Sequence, residues 1–294
     1  MNKDKKKENE MSFLEHLEEL RWHIIRSVIA IIVLMITAFC FKELIFDIII
    51  IAPKKPDFIT ARALCKLGEF VHADLCINTQ QLNLINISMA GQLTTHIVVS
   101  LVAGLILSFP VILWEFWRFF EPALKPNEAR YASGTVLISS LLFFIGVLFG
   151  YFALAPLSIH FLSSYEVSDA VVNQVNIRSY IGTLTSICLA TGAVFELPII
   201  AFFLTKVGII TPQFMKNYRR HSIVVIFIIA AIITPPDVFS QILVAIPLLL
   251  LYEISIVISA KVMKQKEKAH AEFMNDDLST DTSITRSSNE VTHR

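Results

Sequence analysis

Long apolar runs separated by short polar breaks pattern this chain from end to end. The runs cover residues 24–41, 97–114, 132–154, 181–204, 223–233 and 238–260. A helix rises 1.5 Å per residue and a bilayer's hydrocarbon core is about 30 Å thick, so a run of about 18 or more apolar residues reads as a spanning helix. The fifth run is the exception, because residues 223–233 reach only about 17 Å as helix. The pattern therefore predicts an all-α integral membrane protein with six transmembrane helices. Helices five and six are expected to be short, both ending inside the membrane plane where Thr234, Pro235, Pro236 and Asp237 reverse the chain. Before the first run, Ser12 and Glu15 have capping-box spacing, and Phe13, Leu17, Leu20 and Ile24 form an apolar stripe. The opposite face of that helix start carries Glu15, Glu18, Glu19 and Arg21. Pro122 and Pro126 interrupt the break after the second run, which holds Glu121 and Glu128. An even number of spans between these two acidic segments brings both to one aqueous face.

Composition agrees with that reading. The chain is 54% hydrophobic and 17% charged, with a mean hydropathy of +0.63, which fits a multi-span membrane protein and not a soluble domain. Its net charge of zero is uninformative, but the placement of charge is not. Basic residues gather before the first run, in the break at 117–130 and in the break at 206–220, whereas the third break has Arg178 alone and the fifth has none. By the positive-inside rule both termini are cytoplasmic. The domain reading is a disordered basic tail at 1–10, a six-helix membrane domain at 11–262 and a disordered cytoplasmic tail at 263–294. The first run is too long for a cleavable signal peptide, and no small-residue cleavage site follows it. No basic face suited to nucleic acid is present.

Few residues offer chemistry. Cys65 and Cys76 share the long first loop, which the topology places outside the cytoplasm, so a disulfide is favoured over a metal site. Cys40 and Cys188 lie in apolar runs. Glu196 lies in the fourth run, where an acid costs about 2.5 to 3.5 kcal/mol on insertion scales and so faces protein or water. Gln241 is a polar group in the sixth run, suited to docking a partner helix. Trp114, Phe116, Trp117, Phe119 and Phe120 form an interfacial aromatic cluster. Neither a nucleophile–base pair nor HExxH occurs in the spans, which argues against an intramembrane enzyme and against a resident metal or cofactor. A proton- or ion-coupled secondary transporter is the alternative that Glu196 keeps open, although the halves show no internal repeat.

Four separated segments carry a resemblance. HLEELRWHIIRS, FWRFFEPALKPNEAR, FELP and TPPDVFSQILVAIPLLLLYEI resemble the TatC family, the core subunit of the twin-arginine protein translocase, from about Met11 to about Val262. The resemblance implies a cup-shaped bundle in the bacterial cytoplasmic (inner) membrane. It implies a receptor for signal peptides with two adjacent arginines, which works with TatA-type and TatB-type single-span partners to export folded proteins on the proton-motive force, as an oligomer within the complex. By motif, Glu19, Arg21, Phe119 and Glu128 are implied in signal-peptide binding, Pro53 in the end of helix one, and Glu196, Asp237 and Gln241 in interior and partner-facing sites. His23 stands where the family is often basic and Asn176 where it can be acidic, and neither receives a role. The chemistry suits this function, because planar guanidinium forks pair bidentately with carboxylates. Glu19 and Glu128 are then the arginine clamps, with the signal's apolar segment running toward Glu196 and Gln241.

Overall fold

The computed structural model describes residues 13–71, 76–77, 82–120, 132–166, 168, 173–234 and 238–291. Helix α1 is Phe13–Cys40, followed by a π-helical turn at Leu44–Ile50, and α2 is Ile59–Val71. Helix α3 is Gly91–Phe120 and α4 is Ala132–Phe149. A second π turn, Gly150–Leu154, leads directly into α5, Ala155–Ser164. Helices α6, Ile177–Val194, and α7, Leu197–Val207, flank a break at Phe195 and Glu196. Helices α8, Pro212–Asn217, α9, Arg219–Ile233, and α10, Val238–Val291, complete the chain. Two short strands, β1 at Leu84–Ile85 and β2 at Val175–Asn176, pair in parallel with Leu84 opposite Val175.

Among the described residues, five helical stretches are long and apolar enough to cross a membrane: Glu18–Cys40, Gly91–Phe119, Gly134–Ser164, Ile177–Val207 and Ser240–Gln265. Large apolar side chains such as Ile29, Val33, Ile36, Leu137 and Leu141 stand exposed on them, as lipid-facing residues do. Helix α9 is not among the five: its 15 residues rise only about 22 Å.

The chain divides into two compact units. The first comprises Met1–Phe195 and Ala231–Gln241, and its core gathers Ala38, Ile45, Ile50, Val99, Ala155, Ile159, Tyr180, Ile181, Leu184 and Cys188. Two prolines shape it. Pro53 is fully buried and has no N–H to return to the carbonyl of Ile49, so helix one ends in the π turn. The carbonyls released there accept from tyrosines: Tyr151 Oη donates to Ile49 at 2.7 Å and Tyr180 Oη to Ile50 at 2.7 Å. Pro156 repeats the device, with the hydroxyl of Thr60 donating to the carbonyl of Phe152. Backbone carbonyls left out of the helix ladder need donors, and these side chains supply them. In the first loop Cys65 and Cys76 are joined as a disulfide with their Cα atoms 4.3 Å apart. Phe58, Ala61 and Ile77 pack that loop against Tyr151, Phe152 and Leu157. Nearby, Lys54 Nζ donates to the carbonyl of Leu82 at 2.9 Å, and burial, helped by Lys55, lowers its pKa.

The second unit comprises Glu196–Ala230 and Ile242–Arg294. Gly208, at φ 94°, ends α7 in the left-handed region, and its N–H returns to the carbonyl of Leu204. Thr211 caps α8, accepting from Phe214 N, with Pro212 at the first helical position. Thr205 and Ser259 share a buried hydrogen bond of 2.8 Å, Tyr252 Oη donates to Met215 O at 2.7 Å, and Arg219 pairs with Glu253.

Four expectations change. The segment after Leu154 is helix to Ser164 and not loop, because Thr60 satisfies the carbonyl that Pro156 leaves open. The fourth run is two helices, since Pro198 cannot donate back into α6. Of helices five and six only the fifth is short: the sixth has a 26-residue apolar part, Ser240–Gln265. Its continuation is helix to Val291 where a disordered tail from residue 263 is expected: Lys, Gln, Glu, Ala and Met extend the helix to residue 274 without a new nucleation cost, and the composition of 275–291 gives no such reason. The tail at 1–10 and the capping-box Ser12 lie outside the described residues.

Candidate functional site

Helices α1 and α3 run antiparallel, as their contacts show. Phe39 stacks on His96 with ring centroids 4.0 Å apart, and further inward Gly104 meets Met35. A Cβ added to Gly104 would lie 2.7 Å from Met35 N and 2.8 Å from its Cα, so only glycine permits this approach. At the far end His23 meets Glu115. The beginning of α1 and the end of α3 therefore emerge together, and the acidic helix start shares a face with the aromatic cluster.

This shared end carries a polar site. His23 Nδ1 donates to Glu115 Oε2 at 2.6 Å, with each residue 8% exposed. Arg26 Nη1 approaches the same oxygen at 3.6 Å from a half-exposed side chain. A buried carboxylate is tolerated here because its partners are cationic or donating groups. The ring of His23 also meets Phe119 edge-on, at 6.2 Å and 69°. Glu19 lies one helical turn before His23, and Phe119 one turn after Glu115, so both stand at the outer rim of this cluster. Glu19 is half-buried, and its Oε2 is buried without a hydrogen-bond partner among the described residues. An acceptor in that condition suits a multidentate cation. Arg21 is exposed on the same helix start.

The other anticipated residues lie elsewhere. Pro53 ends helix one, as described above. Cys65 and Cys76 form the loop disulfide. Glu196 is 9% exposed and caps the start of α7, its carbonyl accepting from Ile199 N and Ile200 N at 3.0 Å. Gln241 is half-buried at the end of the first unit, whereas Glu196 opens the second. Glu128 and Asp237 lie outside the described residues. No group of three or more His, Cys, Asp or Glu is placed to hold a metal among the described residues.

Three residues of the cluster, Glu115, His23 and Arg26, have no role assigned from the sequence. Glu115 lies just beyond the second apolar run, which ends at Trp114, whereas α3 continues to Phe120. The signal was available, since an acid inside an apolar helix demands a partner as Glu196 does. His23 and Arg26 follow from Glu115 once the helices are paired. Asn176, also without an expected role, caps α6 by accepting from Arg178 N at 3.0 Å.

Comparison with known proteins adds the following. Residues 15–247 match the family described as Sec-independent protein translocase protein (TatC). A Sec-independent protein translocase protein TatC of Blattabacterium sp. subsp. Periplaneta americana is 42% identical over 265 residues, spanning 89% of this chain and 100% of that protein. The TatC protein of Aquifex aeolicus is 37% identical over 259 residues, spanning 88% and 98%. A crystal structure of a twin arginine translocase receptor, TatC, in DDM superposes with a TM-score of 0.64 at 38% identity, over 83% of this chain and 99% of that one.

Proposed function

This chain belongs to the TatC family of Sec-independent protein translocase proteins, and we propose that it is the signal-peptide receptor of a twin-arginine translocase. It is a multi-pass protein of the cytoplasmic membrane, and its family role is translocation and not ion-coupled solute transport. In the proposed role its six helices form a cup with both termini in the cytoplasm, an orientation supported by the clustering of basic residues in alternate breaks. The paired arginines of a folded cargo's signal dock at the shared end of α1 and α3. TatA-type and TatB-type single-span proteins join the complex, and the proton-motive force drives transport.

The observation that carries this reading is Glu19 Oε2, a buried carboxylate oxygen with no hydrogen-bond partner among the described residues, one helical turn before His23, whose ring meets Phe119. A guanidinium would supply the missing donor, and the family motif offers Glu128 as the second arginine clamp. Arg21 keeps the rim from being so acidic that any cation binds. The signal's apolar segment continues along the membrane domain toward Glu196 and Gln241.

Binding of a twin-arginine signal peptide, and of its twin-lysine counterpart, to the full-length protein in nanodiscs tests the reading. Glu19→Ala and Glu128→Ala should each weaken the twin-arginine peptide roughly tenfold or more, since a charge-assisted hydrogen bond contributes about 1.5–3 kcal/mol. Membrane insertion should be unaffected. Unchanged affinity in both variants would overturn the clamp.

A further inference from the structure

The cluster contains a carboxylate that the proposed recognition does not use. Glu115 is occupied already, by His23 at 2.6 Å and Arg26 at 3.6 Å, and both partners come from α1. It is as buried as His23, so cargo reaches it only by displacing residues of the protein. We propose that Glu115 is a positioning residue: with His23 it clamps α1 to α3 in the register that sets Glu19 beside Phe119 for the signal's arginines.

Helical geometry supplies the argument. Glu19 precedes His23 by four residues and Phe119 follows Glu115 by four, so each recognition residue lies one turn, about 6 Å, outward from the clamp on its own helix. Because the helices are antiparallel, the two outward steps point the same way. His23 touches both halves of the arrangement, donating to Glu115 and meeting Phe119 edge-on. The Gly104 contact holds the helices close near their middle, yet a close backbone approach without a side chain leaves rotation about each axis unspecified. A buried hydrogen bond between one imidazole and one carboxylate removes that freedom, because any rotation strands a charged group in an apolar setting. Arg26, half-exposed, completes the neutralisation of Glu115 and keeps that acid from competing with Glu19 for cargo.

This inference rests on the receptor reading, and its test separates the two. In full-length protein in nanodiscs, E115Q removes the charge but keeps the shape, and twin-arginine peptide affinity should fall about tenfold to a hundredfold, the scale of a site displaced by about an ångström. H23R should retain affinity, since a guanidinium reaches Glu115, whereas H23F should lose it and the double variant E115Q/H23R should not be rescued. A cargo-free readout accompanies these: cysteines introduced by E19C and F119C in a C40S background should crosslink efficiently, and E115Q should abolish the crosslink. Affinity and crosslinking both unchanged in E115Q overturn the proposal. H23F as good as H23R also overturns it, by assigning the role to packing alone. A crosslink lost in E115Q when even the unaltered protein binds no twin-arginine peptide upholds the clamp and overturns the receptor reading.

Discussion

Tyr151, Tyr180 and Thr60 lie far apart in sequence from the carbonyls they serve, and each compensates a proline. Pro53 and Pro156 leave Ile49, Ile50 and Phe152 with carbonyls outside the helix ladder. Tyr180 matters most: it is 2% exposed and its hydroxyl bond is buried, whereas that of Tyr151 is exposed. Tyr180→Phe keeps the ring and strands the carbonyl of Ile50. We expect a loss of about 1 kcal/mol, within the range measured for hydrogen bonds in membrane proteins and for unsatisfied polar groups. Thermal unfolding in detergent, compared with the unaltered protein, reads this directly, and an unchanged midpoint would show that the carbonyl finds another donor.

Elements decide how the site residues meet. Helices α1 and α3 approach closely at Gly104, whose neighbours are backbone atoms of Met35 and Ile31 that cannot swing aside. Gly104→Ala must therefore push the helices apart. Overpacking of this kind costs about 1–3 kcal/mol. Displacement at Gly104 should also loosen the His23–Glu115 pair further along, so signal affinity should fall with stability. Gly134→Ala is the control, since no atom of the described residues lies within 4 Å of the added carbon. If Gly104→Ala unfolds and binds like the control, the close approach is not maintained in the membrane.

Across the whole molecule, the shortness of α9 is the feature of largest consequence for the proposed six-helix arrangement. There, a rise of about 22 Å against a core of about 30 Å would require local thinning, and Gln241 lies eight residues after Ile233, the last residue of α9. In the proposed complex Gln241 docks a polar residue near one end of a partner helix. Such a bond is worth about 0.6 kcal/mol on average and at most about 1.7, so packing supplies most of the affinity. Gln241→Leu should weaken co-purification of a TatA-type or TatB-type protein without abolishing it, and a photocrosslinker at 241 should capture that partner. Capture should change when a signal peptide is bound, as the partner moves toward Glu196. Absence of any crosslink from 241 would remove Gln241 from the interface.

Much of this was legible in the order of residues. Apolar runs long enough to cross a bilayer, the shortness of the fifth, the paired loop cysteines and the four family motifs are local properties, because membrane insertion responds to hydrophobicity summed along one helix. The family motifs also propose Glu19 and Phe119 as site residues. The partner of Glu115 was not legible, since His23 is separated from it by 92 positions and only antiparallel packing through Gly104 brings them together. The same holds for the tyrosines that serve Ile49 and Ile50, across 102 and 130 positions. Hydrophobic pattern dictates which segments enter the membrane. Which polar groups then meet depends on helix register, which is set by close packing and by the high cost of leaving a buried polar group alone.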